Sequence, residues 1–118
     1  MCKNSSLEIV SQCKHGYIGL CRGCNRFNLV FENLFLLMEH EEVVSLCRML
    51  EDHFGVFWHN SSIGNGKQIT MNTPLHNFFM AFSVEEFEEF KTMVIEANLI
   101  LDAREILDQP IKKTKKYP

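Results

Sequence analysis

The sequence is short of most features that would assign a protein to a class at sight. No apolar run approaches the ~20 residues that a bilayer-spanning helix requires, so no membrane segment is expected. The opening stretch, MCKNSSLEIVSQCKHG, holds no apolar segment of the secretory kind, which argues against export. Polar-tipped aromatic residues are scarce, with two Tyr and one Trp against ten Phe, a bias that suits a dry core. There is no Gly-x-Gly-x-x-Gly, phosphate loop, nucleophile elbow or His-x-x-x-His. The familiar dinucleotide-binding, nucleotide-hydrolysing, serine-hydrolase and zinc-protease classes are therefore unsupported.

What is present describes one ordinary domain. A chain of 118 residues, 46% hydrophobic and 23% charged, has room for one core and no second. The net charge of −3 is unevenly spread. Residues 1–26 carry +3, residues 27–110 carry −10, and the tail holds Lys112, Lys113, Lys115 and Lys116. The tail reads as a solvated end. A nucleic-acid contact is disfavoured, because the acidic body repels phosphate and no aromatic residue is interleaved with the lysines. Five Cys, an odd number without disulfide-scaffold spacing, point to reduced thiols and a cytoplasmic protein. On that reading the Asn-x-Ser matches at Asn4 and Asn60 carry no glycan.

The periodicities predict an α+β fold. Leu7 to Cys13 and Tyr17 to Cys21 form an N-terminal hairpin within 1–26, with Gly19 weakening the second strand or marking a bulge. Phe27, Leu29 and Phe31 alternate with polar or smaller residues as in a strand buried on one face, and Leu34 to Met38 is an all-apolar strand. Val43, Leu46, Cys47, Leu50 and Phe54 make one stripe on a first helix, stopped by Gly55. Val56 to Gly66 reads as a loop. Gln68 to Thr73 and Phe78 to Phe82 read as strands, and Ser83-Val84-Glu85-Glu86 is a capping box opening a second helix striped by Phe87, Phe90, Val94, Ala97 and Leu101. An offset of 44 residues aligns Asn33 with Asn77, Phe35 with Phe79, Glu41 and Glu42 with Glu85 and Glu86, and the two helix stripes with each other. A duplicated ββα unit, 27–55 and 67–107, is expected, followed by the basic tail 108–118. Two helices with one apolar stripe each suit one face of one antiparallel sheet, a two-layer sandwich.

Gly16, Tyr17, Cys21, Cys24, Leu29, Phe31 and Phe35, followed by Ser83 and Glu86, carry a family likeness. In these residues the chain resembles a small uncharacterised bacterial family of the Bacteroidota with a Gly-Tyr…Cys-x-x-Cys strand motif. The resemblance implies this architecture and no activity.

The one chemical motif is Cys21-Arg22-Gly23-Cys24, whose two-residue gap lets a single turn offer two thiolates to a metal. Cys13 and His15 are near it in sequence, but a hairpin tipped at His15-Gly16 sends Cys13 to the far end of a strand roughly 16 Å long. The same hairpin brings Cys2 beside Cys21, and the meander returns His40 to that end. Cys2, Cys21, Cys24 and His40 are the expected ligands of a structural Zn2+. A dithiol redox centre of Cys21 and Cys24 is the enzyme alternative, weakened because Cys24 leads into a strand instead of a helix amino terminus. Cys47 belongs to a helix stripe and reads as a core thiol. His53, His59 and His76 are scattered, Glu85, Glu86, Glu88 and Glu89 read as a solvated helix face, and Met38, Met49, Met71, Met80 and Met93 as core filler. Trp58 is expected to fold back onto the core, with an exposed Phe57-Trp58 patch for a partner as the alternative. Together these features predict a non-catalytic binding or adaptor module with an unidentified protein partner. They fix no oligomeric state.

Overall fold

The computed structural model describes residues 7–108. Strand β1 (Leu7–Cys13) and strand β2 (Gly16–Cys21) form the expected hairpin, antiparallel from Leu7↔Cys21 to Cys13↔Gly16. Its register slips between Ile9 and Ser11, so the bulge anticipated at Gly19 lies on the opposite strand, where Gly19 faces Ile9. Gly16 is required by a close approach: a Cβ there would lie 1.9 Å from the Val30 carbonyl oxygen. Strand β3 (Arg26–Phe31) buries Phe27, Leu29 and Phe31 and pairs with strand β4 (Leu34–Met38) through the Glu32-Asn33 turn.

Helix α1 (His40–Asp52) begins where the Glu42 carboxylate accepts the Glu39 N–H at 2.7 Å, and it buries Val43, Cys47 and Leu50. It stops sooner than its stripe suggested. His53 takes the left-handed conformation (φ 57°) and the Phe54 N–H bonds the Met49 carbonyl, which turns Phe54 out to 72% exposure.

The segment read as a loop contains a short strand, β5 (Val56–Trp58), paired with strand β6 (Ile69–Asn72), which pairs in turn with strand β7 (Phe79–Phe82). Helix α2 (Val84–Asp108) opens with the anticipated box: Ser83 N–H donates to Glu86 at 2.8 Å, and Glu86 N–H donates to Ser83 Oγ at 3.1 Å.

The fold is α+β, and its strands form two antiparallel sheets where one was expected, ordered β1-β2-β3-β4 and β5-β6-β7. Each sheet is a meander running into a helix. Helix α2 packs on β1, β2 and β7, α1 packs on β3 and β4, and the helices touch each other. One core joins both sheets to both helices. Its centre is aromatic: the Phe90 ring on α2 lies 5.2 Å from Phe31 of the first sheet and 5.2 Å from Phe82 of the second.

Candidate functional site

The ladder places the cysteine turn at one end of the first sheet. Cys21, buried, closes β2 opposite both Leu7 and Arg26, and Asn25 (φ 58°) donates its N–H to the Cys21 carbonyl at 2.8 Å. Cys24 is exposed on the turn and leads into β3, with no helix amino terminus behind it. Arg26 Nε, 2.9 Å from Glu39 Oε2, ties the start of α1 to the same end. His40 does arrive there, with its ring against Phe27 at 6.0 Å and its Nε2 buried without a hydrogen-bond partner among the described residues. Cys2 lies outside the described residues. Among those described, no three His, Cys, Asp or Glu side chains stand close enough to hold a metal ion. Cys13 sits at the opposite end, its Sγ 3.7 Å from Met93 Sδ.

Several polar pairs were not legible from the sequence. His15 Nδ1 lies 3.0 Å from Glu89, and Glu32 approaches the other ring nitrogen at 3.8 Å. Glu86 meets Lys67 at 2.5 Å, and that partner, with the Ser83 N–H, holds its carboxyl below the usual range. Two of the four carboxylates read as a solvated face are thus engaged. Glu8 bonds Arg104 and Arg22, which likewise lower its pKa. Cys47, a core thiol as expected, is pushed up to about 11 by burial and then by Glu51.

One concave feature is strongly apolar. A cavity of about 470 Å³ opens between β4, α1, β6 and β7, walled by Leu34, Leu36, Met38, Leu46, Met49, Met71 and Met80. Its volume falls in the range of ligand sites. A smaller space of about 220 Å³ continues it between the start of β4 and β7. Four of the five methionines read as core filler line the larger cavity: Met71, which like Met93 is buried in the core, and Met38, Met49 and Met80, which pack against that core. Around the mouth Leu75, Phe78 and Phe79 are about half exposed, as is Phe35 on β4. The sequence cue was β4 itself, five apolar residues with no polar alternation, which turns out to be an edge strand. Trp58 does not cap the core: it is 55% exposed and leans edge-on against Phe87 at 6.2 Å.

Two meander–helix halves sharing an apolar cleft define a small α+β domain. The chain matches the Family of unknown function (DUF6686) over residues 1–110, and it belongs to that family. No curated protein and no solved structure matches it. No helix among the described residues is long and apolar enough to cross a membrane.

Proposed function

We propose that the protein is a non-catalytic binding module that holds an apolar partner in the cleft between its two sheets. The observation that carries this reading is the methionine-lined cavity between β4, α1, β6 and β7. Thioether side chains adapt to varied apolar shapes at low cost, as a binding surface requires and a fixed core does not. The test is Nile red, a neutral apolar dye, added to the native protein. Its emission should rise, and Leu46→Lys, which puts a charge in the wall, should remove the rise while circular dichroism stays native. A native protein that leaves the dye dark contradicts the reading.

A second proposal is the structural zinc, held by Cys2, Cys21, Cys24 and His40. It is supported by the register, which sets Leu7, five residues after Cys2 in the sequence, opposite Cys21. Cys13 and Cys47 carry thiols, in keeping with a reducing cytoplasm. Freshly purified protein should contain one zinc, lost on Cys2→Ser or Cys21→Ser and kept on Cys13→Ser. Metal-free protein whose Cys21 and Cys24 cycle to a disulfide would support the redox alternative instead.

We also infer that 27–55 and 67–107 are copies of one unit. Each carries antiparallel strands into a carboxylate-capped helix, and Phe35 and Phe79 are equally exposed at 47% and 48%.

A further inference from the structure

Natural edge strands are normally guarded by Lys, Pro, a bulge or a covering element, because an open row of N–H and C=O groups invites another strand. Among the described residues, strand β4 carries no Lys, Pro or bulge and has no further strand beside it. Its five residues, Leu34 to Met38, include no charge and no Pro, and it pairs regularly with β3 alone. No described strand lies beyond β4 or beyond β7 in its sheet, and both of these open edges line the smaller cavity. The first hairpin pair, Phe31↔Leu34, flanks a two-residue turn and is hydrogen-bonded, and bonding alternates from there. Phe35 and Leu37 therefore turn their N–H and C=O away from β3, and their side chains are 47% and 39% exposed.

The charges around this edge select its occupant. Glu32 stands at one end of β4, and Glu41 and Glu42 stand at the other beside Glu39, which Arg26 engages. The described cation lining the smaller cavity, Lys67, is engaged by Glu86, and no described Lys or Arg lines the larger one. Antiparallel self-pairing of two copies about Leu36 would bring Glu32 of each copy against the Glu39–Glu42 end of the other, carboxylate on carboxylate. A strand with basic ends meets the opposite situation.

We propose that the cleft receives an extended peptide segment of a partner protein, apolar at alternate positions and bearing Lys or Arg at its ends, which adds to the outer edge of β4. The added strand covers about 17 Å of edge, supplies the missing backbone partners and seats side chains among the methionines. This rests on the binding-module reading and specifies its ligand.

The test pans a random 12-residue peptide library against the full chain and measures the affinity of the selected peptides by fluorescence polarisation. Selected sequences should alternate apolar residues between basic ends and lose affinity as salt rises. N-methylation of one alternate set of peptide amides should weaken binding by at least about tenfold, as loss of two or three backbone bonds implies. The other set should tolerate it. Leu37→Lys should weaken binding similarly, while Ile9→Lys on the far edge of the same sheet should not. Peptides that depend on Leu46 but tolerate N-methylation at either set would overturn strand addition and leave the cleft reading standing. Failure to select any peptide would overturn the proposal. So would a native dimer that Phe35→Lys dissociates, since a second copy would then occupy the edge. Selected peptides indifferent to Leu46→Lys would overturn both.

Discussion

Burial has made Cys47 a poor nucleophile. Its side chain is packed between α1 and the core, and desolvation with the Glu51 carboxylate raises its pKa to about 11. The thiolate fraction at pH 8 is correspondingly small, so iodoacetamide should label Cys47 far more slowly in native than in urea-unfolded protein. Cys47→Ala should cost about 1 kcal/mol, measured by urea denaturation, with metal content unchanged. Loss of metal from that variant would mean the thiol is a ligand. This role was legible in the sequence, because a cysteine on a regular apolar stripe has nowhere else to point. The roles of the methionines were legible only in part. Met71 and Met93 are buried in the core and Met38, Met49 and Met80 pack against it, but the cleft that four of the five line was not foreseen. Residue type separates core from surface well, but it does not separate a filled interior from the wall of a cleft.

At the scale of elements, α2 is the best specified. Its box closes in both directions, and Phe87, Phe90, Val94, Ala97 and Leu101 are all buried. Glu86 does double work there, receiving the Ser83 N–H and Lys67. Its folded pKa is depressed below the usual carboxylate range, first by Lys67 and then by Ser83. The stabilisation is therefore complete above the unfolded pKa and is lost as pH falls through the depressed folded value. Glu86→Gln should cost about 0.5–1 kcal/mol at pH 7 and less at pH 3, checked by urea midpoints at both. An equal cost at both values would show that the charge does not matter. The elements that escaped the sequence did so for physical reasons. Strand β5 is only three residues long, too short for alternation to register, and it is followed by a polar run. Helix α1 ends early because His53 adopts the left-handed conformation, which breaks the stripe before Phe54.

For the whole molecule, the decisive contacts are between parts that the sequence describes separately. Periodicity supplied the helices, every described strand but β5, and the α+β class, but which strand edges pair is a tertiary matter. The strands part into two sheets, bridged where Phe31, Phe82 and Phe90 meet. Phe90→Ala should cost about 3–5 kcal/mol and should destabilise both sheets together in amide exchange, since one ring serves both. Protection lost from the β5-β6-β7 sheet alone would contradict a shared core. The same parting creates the cleft, which is why no local motif announced it, whereas hairpin geometry alone separated Cys13 from the cysteine turn.

The most direct test of the cleft as the binding site is the methionine-methyl NMR spectrum of the protein titrated with 1-hexanol, a small neutral apolar probe. Met38, Met49, Met71 and Met80 line the cavity, Met71 from within the core, and Met93 is buried in the core outside the cavity lining. Saturable shifts at the first four with Met93 unmoved are the expected result. A spectrum in which those four stay still, or in which Met93 moves with them, would contradict the cleft as a site distinct from the core.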